Sequence, residues 1–278
     1  MSDAADRAVE DLLGAPYTAE TIDLGRDAEG PLVATLVKSP THGPTNCAVL
    51  HVHGFNDYFF QTEYAQWWTD RGYTFYALDL RKYGRSLRPG QSANMITDLH
   101  DYFEEIDEAW RRITVRDGHA AVVGSAHSTG GLTLALWADE RRPGLAGLVL
   151  NSPWFDMHGP WWLRTIGTRA IRRLGPLRPH QVLPRRVSGL YNRSIHRDRE
   201  GEWDFNLSWK PVESWPITLG WLSAIRTGHA ELHAGLEVGC PALVLTSARS
   251  GHPTDMCEEV HSSDIVLDVE QIRRWAPC

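Results

Sequence analysis

Short, uninterrupted apolar runs recur along the chain at residues 48–52, 74–78, 120–124, 145–151 and 242–247, separated by amphipathic stretches. A strand buried on both faces reads as a continuous apolar run, whereas a helix lying on a sheet shows a stripe at three- and four-residue steps. The pattern therefore predicts an α/β chain: a mostly parallel sheet with helices on both faces. Helices are expected at 63–71, before a glycine stop at Gly72, at 96–112, where Leu99, Phe103, Ile106 and Trp110 form the stripe, and at 132–141. An earlier run, 31–38, is expected to form an antiparallel edge strand ahead of the parallel series.

The rhythm fails between residues 152 and about 235. That stretch holds Trp154, Trp161, Trp162, Trp203, Trp209, Trp215 and Trp221, several prolines and a basic, helix-like run at 164–173. It reads as a lid inserted over the carboxyl ends of the strands, where ligands bind in open α/β sheets. The expected organisation is a core begun by 1–151, a lid or cap at 152–235, and a core resumed at 236–278. Most of the tryptophans should fill the lid's own core, leaving one or two to face a pocket.

A chain of 278 residues can bury one full core. Its 28 Lys and Arg against 35 Asp and Glu give a net charge of −7, with no basic run, so nucleic acid is not an expected partner. The polar, acidic start lacks the apolar core of a signal peptide, and no run approaches the ~20 apolar residues of a membrane span. A soluble, cytoplasmic protein without a stable membrane anchor is the expectation. Cys47, Cys240, Cys257 and Cys278 show no C-x-x-C spacing, which argues against a zinc site or a disulfide framework. His51 and His53 share one strand face, but no carboxylate or third histidine stands at ligand spacing, so no metal is expected.

The chemistry concentrates at Ser128. The run Ala126-His127-Ser128-Thr129-Gly130-Gly131 follows an apolar strand and opens a helix. G-x-S-x-G marks a strand-to-helix elbow that exposes a nucleophilic serine on a strained backbone; here alanine replaces the first glycine. The plainer alternative is a serine that merely caps the helix. A serine nucleophile needs donors for the oxyanion it creates. The turn His53-Gly54-Phe55 closes the first central strand, so the backbone N–H groups of Phe55 and of Thr129, the residue after the serine, are the expected pair.

These segments, with Asp79-Leu80-Arg81-Lys82-Tyr83-Gly84-Arg85-Ser86 and Leu150-Asn151-Ser152-Pro153, resemble those of α/β-hydrolases of the monoacylglycerol lipase, lysophospholipase and serine aminopeptidase-like group. The resemblance runs from about residue 30 to the end. It implies the α/β-hydrolase fold with an inserted lid, no cofactor, a small-molecule acyl ester as substrate, and a Ser-Asp-His triad in that chain order. The acid would follow the strand at 242–247, where Asp255, Asp264 and Asp268 are available; Asp264, ahead of a helix at 268–275, matches the family's position. Fourteen residues follow Asp264 (278 − 264 = 14) and none is histidine. The family's last strand, its histidine loop and its last helix are therefore expected to be missing, as in a C-terminally truncated hydrolase. His252, His261, His53 and His127 are the remaining candidates for a base. The truncation would also expose the strand at 242–247 as an edge, with self-association as a consequence. Two functions stay open: a serine hydrolase cleaving a carboxylic ester, and an inactive hydrolase scaffold that binds a ligand or partner.

Overall fold

The computed structural model describes residues 8–41, 43–157, 167–184 and 188–277. Four strands come first: β1 (Val9–Glu10), β2 (Thr18–Asp27), β3 (Gly30–Ser39) and β4 (Cys47–Val52). The alternating part follows with α1 (Thr62–Thr69), β5 (Thr74–Asp79), α2 (Phe103–Arg111), β6 (Ala121–His127), α3 (Thr129–Arg141) and β7 (Gly147–Asn151). Beyond it lie α4 (Thr168–Leu174), α5 (Leu190–Ile195), α6 (Leu219–Leu232), β8 (Ala242–Leu245), α7 (Glu258–Ser262) and α8 (Val269–Trp275).

The eight strands among the described residues form one sheet in the order β1-β2-β3-β5-β4-β6-β7-β8. The five from β5 to β8 run parallel, and β1, β2 and β3 are antiparallel to their neighbours. The central strand β4 shows why its sequence lacks alternation. Leu50 and Val52 join the core cluster under α2, α3 and α6, while Val49 joins the one under α1, so both faces are covered.

Two expected elements differ. The run at 31–38 falls in β3, which is antiparallel as expected but interior, because β2 pairs with its outer side. Strand β2 was missed since only Ile22 of its ten residues is buried, leaving little apolar signal. The predicted helix at 96–112 begins later, as a tight turn at Leu99–Tyr102 that Asp98 caps by accepting the His100 N–H, and it loosens into a wider π turn at Arg112–Arg116. At the other margin, among the described residues, β8 pairs only with β7, and its Leu243 and Leu245 are exposed.

The segment 79–86 is built inward. Arg81 pairs with the fully buried Glu105, Lys82 with Asp27 and Glu29, and Arg85 with Asp11 and Asp79. Its three cations are thereby consumed by the fold, and the segment anchors the loop behind the site.

Candidate active site

Strand β6 ends at His127 and α3 begins at Thr129, so the whole reversal falls on Ser128. Its φ of 53° and ψ of −119° lie where L-residues are strained. Such a residue costs about 1–3 kcal/mol and persists only when its surroundings hold it there. Here the Ser128 N–H donates to Asn151 O (3.1 Å), and Ser128 O accepts from Trp154 N (2.9 Å) and Gly131 N (3.0 Å). Gly130 brings α3 against the end of β4. Alanine in place of the motif's first glycine is accommodated because Ala126 is an ordinary buried strand residue, opposite Val52 and Leu150.

The turn after β4 lies directly beside the serine. A Cβ placed on Gly54 would sit 3.0 Å from Ser128 Cβ and 3.3 Å from His127 O. Gly54→Ala should therefore cost about 1–2 kcal/mol in urea unfolding, because neither the elbow nor the turn can recede freely; an unchanged midpoint would contradict this packing. His53, beneath the turn, accepts the Leu80 N–H at Nε2 (3.1 Å) and so donates from Nδ1 to Gly54 O (2.8 Å). Both of its ring nitrogens are occupied. Among the described residues, the backbone N–H groups of Phe55 and Thr129 find no acceptor.

Ser128, Phe55, Thr129 and Asp264 all line one cavity of about 700 Å³. Its apolar wall includes Phe55, Trp154 and Trp221, whose ring stands 4.3 Å from that of Phe55 and 5.8 Å from that of Trp154. Tryptophans 203 and 209 pack instead on Phe60 and Tyr58. Trp161, Trp162, the start of the basic run at 164–166 and Cys278 lie outside the described residues. Polar groups, among them Asn192, Ser188 and Ser194, also line the cavity.

Of the three acid candidates, Asp264 alone lines the cavity. Its Oδ1 accepts the N–H groups of Val266 (3.0 Å) and Leu267 (2.7 Å), which fix the carboxylate. Asp268 caps α8, and Asp255 is exposed beside Thr254. Among the histidines, His127 and His261 line the cavity, while His252 is exposed and outside it. No histidine among the described residues hydrogen-bonds to Ser128 or Asp264. The His127 ring reaches the cavity wall, where Nδ1 stands 3.6 Å from Asp57 Oδ2.

Sequence reasoning passed over Asp57 and Lys210. Lys210 Nζ lies 3.1 Å from Asp57 Oδ1, and both side chains are buried. Burial pushes the Asp57 carboxyl up, but Lys210 and then His127 outweigh it and hold the group well below the usual carboxylate range. Asp57 follows the His-Gly turn by three residues, which is a local signal. Its cation lies 153 residues further along (210 − 57 = 153), and no local pattern could reveal it.

A parallel sheet with an antiparallel margin, a strained serine at the β6–α3 elbow and a cavity at the strands' carboxyl ends define an enzyme of the serine hydrolase type with the α/β-hydrolase fold. The chain belongs to the family serine aminopeptidase, S33, which matches residues 43–247. Solved structures sharing the fold include a soluble variant of monoglyceride lipase from Saccharomyces cerevisiae in complex with a substrate analog, at 14% identity and a TM-score of 0.63 over 92% of this chain and 80% of that one. The monoacylglycerol lipase of Paleococcus ferrophilus is similar at 18% identity and 0.61, over 86% and 82%. A thermostable carboxyl esterase from Bacillus coagulans in complex with glycerol aligns at 13% identity and 0.58, over 81% and 78%. A search of curated proteins finds no match.

Proposed function

We propose that the protein cleaves a carboxylic ester of a small or monoacyl substrate through an acyl-enzyme on Ser128. One observation carries the reading: a strained serine opens into a cavity beside two backbone N–H groups, of Phe55 and Thr129, that have no acceptor among the described residues. Ser128 Oγ attacks the ester carbonyl as a base takes its proton, and the two N–H groups hold the oxygen that becomes negative. The alcohol leaves with a proton, and water then releases the acid by the same route. Asp264 is the carboxylate assigned to orient the base, and among the described residues no histidine hydrogen-bonds to it or to Ser128.

The cavity's composition supports an ester with an apolar acyl part, which would lie along Phe55, Trp154 and Trp221, and a polar alcohol part toward Asn192 and Ser194. Aminopeptidase chemistry is less well supported. An α-ammonium would need an available carboxylate, and of the two that line the cavity among the described residues Asp57 is paired with Lys210 while Asp264 is assigned to the base. The monoglyceride lipase and carboxyl esterase among the structural neighbours support the same substrate class.

A second reading rests on the lack of any histidine hydrogen bond to Ser128 or Asp264 among the described residues: a hydrolase scaffold that binds esters without turnover. A fluorophosphonate probe and a short-chain aryl ester separate the two. The hydrolase reading expects one covalent adduct, mapped to Ser128, and ester turnover, both absent in Ser128→Ala. Absence of adduct, with turnover no higher than in the alanine variant, would leave the binding scaffold.

A further inference from the structure

The turn that carries the Phe55 N–H is short and unusual. Asn56, the next residue, has a left-handed φ of 51°, so the turn needs fixing from outside itself. On one side His53 Nδ1 donates to Gly54 O. On the other, every described partner of Asn56 comes from the cap: its carbonyl accepts from Lys210 Nζ (3.1 Å), its side-chain Nδ2 donates to Pro211 O (3.2 Å), and its Oδ1 accepts from Trp215 N (3.2 Å). Asn192 of α5 holds the same cap segment by donating to Pro211 O and Val212 O (both 3.1 Å).

Lys210 is the centre of this arrangement. Only 2% of it is exposed, and the ring centroids of Phe60, Tyr191 and Phe205 lie 5.5–5.9 Å from Nζ. A lysine is rarely buried without partners, and this one has two in the same turn: the Asn56 carbonyl, to which its N–H is aligned, and the Asp57 carboxylate at 3.1 Å, held by charge. Asp57 in turn faces His127, next to the nucleophile.

We propose that Lys210 is a positioning residue for the oxyanion turn: from the cap, it fixes Asn56 and Asp57 so that the preceding Phe55 N–H stays aimed at the space beside Ser128. This rests on the assignment of Ser128 and Phe55 in the proposed reaction. The oxyanion hole then belongs partly to the cap, and a displacement of residues 206–215 withdraws Lys210, Pro211 and Trp215 from Asn56 together.

Lys210→Met leaves Asp57 as an unpaired buried charge and lowers thermal stability. The double variant Asp57→Asn/Lys210→Met removes both charges and recovers stability without restoring the donor to Asn56 O. The fluorophosphonate reaction of Ser128, resolved into kinact and KI, should show a fall in kinact of about ten-fold or more in both variants, with KI changed by less than about two-fold. Lys210→Arg, which keeps a cation, should recover part of kinact. A purely structural lysine predicts instead that kinact returns with the melting temperature in the double variant, and that result overturns the proposal. Hydrogen exchange of the peptide spanning 53–58 supplies a readout free of the chemistry: faster exchange in the double variant supports the clamp, and wild-type exchange overturns it. If the wild-type serine takes no adduct, the hydrolase reading fails, and the exchange measurement still decides the clamp.

Discussion

Gly130→Ala is expected to cost about 4 kcal/mol or more, in the exceptional tail of single substitutions, and to abolish any reaction at Ser128. The added Cβ would lie 2.3 Å from His53 O and 2.5 Å from Val52 O, with the His53 carbonyl carbon at 3.0 Å. All three are backbone atoms at the end of the central strand, so no rotamer change relieves the clash. Either α3 lifts from β4, opening the elbow at its second residue, or β4 moves against its pairing with β5 and β6. Gly43→Ala is the matched control, since its Cβ would meet nothing within 4 Å and its backbone is not left-handed; it should stay within about 0.5 kcal/mol of wild type. Urea unfolding of the pair, with fluorophosphonate labelling alongside, gives the result. Equal midpoints would contradict the close approach on which the elbow rests.

That close approach was half legible from the residues. The elbow motif and its second glycine stand in the sequence, and the apolar runs at 48–52 and 120–124 locate the strands on either side because a strand buried on both faces cannot hide its composition. A motif carries no distances, so it could not say that Gly130 faces the carbonyls of Val52 and His53. Strand β2 escaped notice for the opposite reason. It is an outer, half-exposed strand whose polar residues resemble a loop, and its pairing with β3 is what turned an expected edge into an interior strand. Within the site, Ser128, Phe55 and Thr129 were named from the elbow and the turn, and Asp264 from the family resemblance; all four line one cavity. Asn56, Asp57 and Lys210 were not named, because a buried ion pair across 153 residues is created only when the segment around Lys210 packs on the turn after β4. His127 stood in the sequence as one candidate base among four, and the fold places it on the cavity wall, facing Asp57.

The histidines packed inside the fold set its response to acid. Burial, then the charges of His127 and His53, pushes His51 down to about 3; burial, then Arg226, pushes His229 down to about 3. Both are neutral in the native state. His229 donates from Nε2 to Trp154 O (2.7 Å) and accepts at Nδ1 from Arg226 (2.8 Å), so protonation would set a second N–H against the guanidinium. In the unfolded chain each titrates near its ordinary value of about 6.5. Below that value the unfolded state binds protons that the native state refuses, so stability falls as pH falls, and the loss continues until about pH 3. From about pH 7.5 to about pH 5 each histidine should remove about 2 kcal/mol, or about 4 for the two. Glu105, raised to about 7 by burial despite its pairing with Arg81, opposes this by taking up a proton in the native state over the same range. The decisive quantity is therefore the difference between wild type and His229→Gln, in which the other groups cancel. Glutamine retains one donor and one acceptor but does not titrate, so the variant should be the less stable at about pH 7.5 and should lose about 2 kcal/mol less than wild type on going to about pH 5. Parallel stability profiles for the two proteins would mean that His229 titrates normally in the native state, and that the contacts joining α6 to Trp154 behind the elbow do not enforce its neutral form.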